Sequence, residues 1–180
     1  MQVDRSTQLA DLYPAIITVI GLPSAAERRA DPLAETRAFD PHETSIDLLA
    51  NRGGIQIDDV GAGAYSRAYI DYVGKARLDA FLSSHGIGIR SFLLLTAEPA
   101  VMVQSMDLGE AAAMAQPSAE IIIVLNEHFG SFGFYPGSAA DRVWRERVLP
   151  FKANRRMITM PAMAAGAWPP FRGPRPVGRH

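Results

Sequence analysis

The stretch Ile55-Gln56-Ile57-Asp58-Asp59-Val60-Gly61-Ala62-Gly63 ends an apolar run in two carboxylates and follows them with glycine. A carboxylate at the tip of a buried strand can reach the water shell of a magnesium ion, and glycine lets backbone approach a phosphate. The same residues also read structurally, with Asp59 capping the next helix and Gly61 and Gly63 making the turn. A second group is Val124-Leu125-Asn126-Glu127-His128-Phe129-Gly130. An amide at the end of a buried strand can pair with a purine edge, donor against acceptor. It can equally tie down its own loop by local hydrogen bonds. Near the end of the chain, Ile158-Thr159-Met160-Pro161 would leave backbone groups free to touch a base, and Asp4 follows a short apolar fragment at the start.

Other chemistries are poorly represented. The chain has no cysteine, which excludes a disulfide framework, a thiolate zinc site and a cysteine nucleophile. His42 and His128 are isolated, and no carboxylate–histidine spacing suggests a metal centre. His85 falls at the end of a helical pattern and reads as a surface or C-terminal capping residue. Ser24, Ser66 and Ser138 lack the Gly-x-Ser-x-Gly setting of a hydrolase nucleophile. The phosphate-loop pattern Gly-x-x-x-x-Gly-Lys-Ser/Thr is missing: Gly74-Lys75 is followed by Ala76 and lies within a helical pattern.

Positioning these residues requires strands that end where they begin. Ala15–Ile20, Ile55–Asp58, Ile89–Thr96, Glu120–Leu125 and Arg156–Met160 read as strands, with a sixth at Gln2–Asp4. Most are continuous apolar runs, the pattern of a parallel sheet covered on both faces. Between them, Ala64–Ser84, Glu98–Ala115 and Gly137–Leu149 carry helical spacing, and Asp31–Asn51 reads as two short helices broken at Asp40-Pro41. Gly86 supplies a left-handed stop and Ser138 an N-cap. Alternating strands and helices predict a three-layer α/β/α sandwich on a mostly parallel sheet, whose ligands sit at the carboxyl ends of the strands. One α/β domain is expected over 1–163, followed by a Pro/Gly/Arg-rich tail over 164–180.

Composition fits that class, at 48% hydrophobic and 21% charged residues over 180 positions. No signal-peptide pattern opens the sequence and no apolar run approaches a membrane span, so a cytoplasmic protein without a membrane partner is expected. The net charge of −1 conceals an asymmetry: residues 147–180 hold seven basic side chains and no acid. A solvated tail or a polyanion-facing end would both account for it.

Taken in order, Val3-Asp4-Arg5, Asp58-Asp59-Val60-Gly61-Ala62, the Val124–Gly130 segment and Ile158-Thr159-Met160-Pro161 resemble the ParA/MinD-type P-loop ATPases, notably the plasmid partition and conjugal-transfer (TraL-like) group. The resemblance implies ATP and magnesium as cofactors. It implies Asp4 near the attacking water, Asp59 or Asp58 near the metal, Gly61 by the phosphates, and Asn126, Met160 and Pro161 around the adenine. It also implies nonspecific DNA contact through the basic C-terminal part, where phosphate neutralisation makes binding salt-sensitive. A second copy of the chain is a further expected partner. The departure is the phosphate loop, which in that family precedes the strand that Gln2–Asp4 resembles. The expected object is thus an N-terminally truncated P-loop-like domain without turnover, its alternative a degenerate module that docks a protein or DNA.

Overall fold

A computed structural model describes residues 2–3, 18–61 and 63–162. The chain forms two compact units, Met1–Arg90 with Glu110–Glu120, and Ser91–Gly109 with Ile121–His180. Asp4, the tail 164–180 and residues 15–17 of the expected strand at 15–20 lie outside the described residues.

In the first unit β1 (Gln2–Val3) is followed by α1 (Ala25–Ala30), α2 (Ala34–Arg37) and α3 (Asp40–Arg52). Ser24 opens α1 with a reciprocal cap: its hydroxyl accepts from the Glu27 N–H, and the Glu27 carboxylate accepts from the Ser24 N–H at 2.7 Å. Asp40-Pro41 starts α3 and does not break a helix, because proline in a first turn gives up only an N–H that has no intrahelical partner. Gly53, at φ 70°, ends α3. The strand expected at 55–58 is displaced: β2 is Asp59–Val60, and it pairs in parallel with β1, Gln2 opposite Asp59 and Val3 opposite Val60. Before it, Ile55 and Ile57 are 92% and 75% exposed, so their apolar character does not mark a buried strand.

The long helix expected over 64–84 is two helices, α4 (Ala64–Lys75) and α5 (Leu78–Ser84). Arg77 separates them in the left-handed region at φ 52°, ψ 38°. That turn redirects the chain so that Leu78 and Leu82 join Ala68, Tyr72 and Val73 of α4 and Phe39 and Ile46 in one core. Gly86 then closes α5 as expected. Its N–H donates to the Ser83 carbonyl at 3.0 Å while the Ile87 N–H donates to the Leu82 carbonyl at 2.9 Å.

The second unit is built on a parallel three-stranded sheet in the order β3 (Arg90–Leu95), β4 (Glu120–Asn126), β5 (Arg156–Met160), with helices packed on it. After β3 comes α6 (Pro99–Ala115), whose last six residues belong to the first unit. After β4 a 3₁₀ turn (Glu127–Phe129) leads to α7 (Ala139–Val143), a π turn (Trp144–Val148) and α8 (Leu149–Lys152). The single helix expected at 137–149 therefore widens and runs on past Pro150. Proline offers no N–H to the carbonyl four residues back, and a wider turn is a common way to accommodate such a loss. Ser138 is the expected N-cap, accepting from the Asp141 N–H at 3.1 Å.

Strand alternation sorts this sheet into two faces. Leu93, Leu95, Ile123, Leu125 and Met157 pack with Met102, Met106, Trp144 and Val148 in a second core. The opposite row holds Phe92 and Leu94 on β3, and Ile158 and Met160 on β5, between 40% and 56% exposed. Only β4, between its two neighbours, is buried from Ile121 through Leu125. Among the described residues no helix is long and apolar enough to cross a membrane.

Candidate ligand-binding site

In the first unit Asp58 is the centre of a polar network. One carboxylate oxygen accepts from Tyr69 Oη at 2.6 Å and from His42 Nε2 at 2.9 Å; the other accepts from Gln56 Nε2 at 2.8 Å. A carboxylate can only accept, so His42 Nε2 carries the proton in this contact. The other ring nitrogen, Nδ1, faces Tyr72 Oη at 3.2 Å, and Ser45 Oγ donates to Gln56 Oε1 at 2.8 Å. His42 is buried at 1% exposure, and its ring stands edge-on to Tyr69 and Tyr72.

The electrostatics follow from this arrangement. Burial pushes the Asp58 carboxyl upward, but hydrogen bonds from His42, Tyr69 and Gln56 outweigh it and leave the group below the ordinary carboxylate range. Burial and the adjacent Asp58 charge hold the Tyr69 hydroxyl protonated well above its ordinary value. Burial, then the acids of α3, raise Tyr72 as well.

Three of the roughly four acceptor positions of a carboxylate are thus taken at Asp58. These bonds anchor the 53–60 segment to α3 and α4. Asp59 stands exposed on β2 and caps no helix, since Gly63 occupies the N-cap position of α4 without a side-chain bond. Gly61 is held by its carbonyl, which accepts from Ser66 Oγ at 2.5 Å. Among the described residues no three His, Asp or Glu side chains converge as a metal site.

The second unit gathers the other expected residues. The parallel register sets Leu125 opposite Thr159 and Asn126 opposite Met160, and Pro161 follows directly. Asn126, Met160 and Pro161 therefore meet at the carboxyl ends of two neighbouring parallel strands. Asn126 belongs to the same alternating row as Val124 and Ile122, facing away from the core that holds Ile123 and Leu125. Its Oδ1 accepts from the His128 N–H at 3.0 Å and caps the 3₁₀ turn. Its Nδ2 makes no hydrogen bond among the described residues. The loop continues to Gly130, at φ 133°, where a side-chain Cβ would lie 3.5 Å from Ala97 Cβ, beside the end of β3.

Sequence reasoning missed His42. It stands alone in the sequence because its partner lies sixteen residues away, and only the packing of α3 beside the 53–60 segment joins them. The one available signal was an interior-facing histidine among aromatic residues. Asp4 lies outside the described residues. His85 does serve its expected capping role, with Nδ1 2.9 Å from the Phe81 carbonyl. No protein-family model, curated protein or solved structure matches this chain.

Proposed function

We propose that this chain is a nucleotide-binding protein of the ParA/MinD type, one that holds the base of its ligand and has no phosphate-binding loop of its own. The observation that carries this reading is the pairing of Asn126 with Met160 at the carboxyl end of a parallel sheet, with Pro161 next in line. Parallel α/β sheets bind ligands at that end. An amide beside a thioether and a proline ring offers one polar contact on an otherwise apolar surface, the composition of a base-binding site.

The engaged carboxylate of Asp58 argues against magnesium-dependent turnover by these residues. ATP would be held through its adenosine part, and magnesium would add little. Titration calorimetry with adenosine, ATP and ATP–magnesium tests this. The expected result is weak binding, with Kd on the order of 0.1–1 mM, similar for the three ligands and weakened about tenfold or more in Asn126→Ala. Absence of binding by all three, or binding indifferent to Asn126→Ala, overturns the reading.

A further inference from the structure

The outward row of the three-stranded sheet is an apolar strip that crosses all three strands. Phe92 and Leu94 stand on β3 and Ile158 and Met160 on β5, each about half exposed. Between them Ile122 and Val124 of β4 are buried, and the register sets Val124 opposite Ile158. From β3 to β5 is two strand spacings, about 10 Å. Four half-exposed side chains of this size present on the order of 300–400 Å². A second copy of the chain would need about 800 Å² from each partner for a stable interface. The strip is too small for that and suits a short segment.

The sequence supplies such a segment directly after β5. Pro161 is followed by Ala162-Met163-Ala164-Ala165-Gly166-Ala167, and then by Trp168-Pro169-Pro170-Phe171. Consecutive prolines favour polyproline II, a helix of about three residues per turn that rises about 3.1 Å per residue. Trp168 and Phe171 are three positions apart, so that conformation sets both rings on one face, about 9 Å from each other. This separation matches the distance from the β3 row to the β5 row. Trp168 lies eight residues beyond Met160, about 25 Å of extended chain, which spans the strip and leaves length for a turn. The prolines also lower the entropy lost when the segment is ordered. We propose that Trp168–Phe171 of the chain itself covers this strip, with its two rings seated over the β3 and β5 rows.

Because the chain has no cysteine, one introduced thiol reports on one place. Leu94→Cys puts it on the strip, and Ile55→Cys puts a control at an exposed position of the first unit. Labelling of the full chain by N-ethylmaleimide, followed by mass spectrometry, is compared with labelling in a Trp168→Ser/Phe171→Ser background. A tethered segment acts at millimolar effective concentration, so a contact with Kd of about 0.1 mM should slow Leu94→Cys about tenfold relative to that background. Ile55→Cys should react alike in both. Ile158→Cys, across the strip, should show the same slowing, and it decides the matter if circular dichroism finds Leu94→Cys unfolded. Equal rates with and without the two aromatic residues would overturn the proposal. Protection that disappears on dilution of the protein would overturn it too, because the occupant would then be a second copy.

Discussion

His42 Nε2 lies 2.9 Å from the Asp58 carboxylate, joining α3 to a segment whose own isoleucines face solvent. With Ile55 and Ile57 exposed, Gln56 and Asp58 are the inward side chains of that segment. Its attachment is therefore polar, and the acid that the sequence marks as metal-facing acts as an anchor.

Asp58→Ala should destabilise the first unit by about 2–3 kcal/mol, since it leaves His42, Tyr69 and Gln56 without their shared acceptor. The pH dependence has a defined sign. The carboxyl is held below its ordinary value of 3.8, so its contribution is fully present above that pH and fades as pH falls through the lower folded value. Urea midpoints of wild type and Asp58→Asn should differ by a constant amount at neutral pH and converge below about pH 4. A gap that is unchanged at pH 3 would contradict the ionised anchor.

Arg77 is the only non-glycine residue with positive φ among the described residues, and it sits between α4 and α5. Left-handed backbone disfavours a Cβ by about 1–2 kcal/mol, partly offset by the greater freedom of glycine in the unfolded chain. Arg77→Gly should therefore raise stability by about 0.5–1 kcal/mol, and Arg77→Val should lower it by a similar or larger amount. Denaturant unfolding of the two variants decides this, and loss of stability in the glycine variant would refute it.

How far the sequence discloses the fold can be judged from such positions. The continuous run Glu120–Leu125 announces β4 correctly, because a strand between two neighbours is buried on both faces and needs only apolar residues. Arg156–Met160 is equally legible as β5. The 55–58 run misleads because the strand preference of isoleucine reflects packing against neighbours, and Ile55 and Ile57 are left exposed here. The break at Arg77 carries no glycine or proline; it follows from the packing of Leu78 and Leu82 and from Asp79, whose carboxylate accepts from the Ser118 N–H at 3.2 Å. Of the candidate site, the strand-end position of Asn126 is legible, whereas the direction of its amide depends on a hydrogen bond two residues onward.

Ser138 tests the entry to α7. Its hydroxyl accepts from the Asp141 N–H at 3.1 Å while the Asp141 carboxylate accepts from the Gly137 N–H at 2.8 Å. Ser138→Ala should cost about 1 kcal/mol and Ser138→Asp should restore most of it. Hydrogen exchange at residues 139–143 should quicken in the alanine variant alone; uniform exchange in all three chains would mean the cap is idle.

At Gly109 α6 passes close to Leu93 and Phe151. A Cβ there would lie 2.5 Å from Leu93 Cδ2 and 3.3 Å from Phe151 Cζ. The leucine methyl can rotate away, and alanine also improves helix propensity by about 1 kcal/mol, so Gly109→Ala should fall within about 1 kcal/mol of wild type. Valine adds two methyl groups to the same space. The Phe151 ring would have to shift, and Arg155, whose guanidinium lies 3.9 Å from the ring centroid, would lose its seat. Gly109→Val should therefore destabilise by about 1–3 kcal/mol. Urea unfolding followed by Trp144 fluorescence in a Trp168→Phe background reports on this core, because Trp144 packs within it. A valine variant as stable as the alanine one would show that α6 is not held this close to β3 and α8.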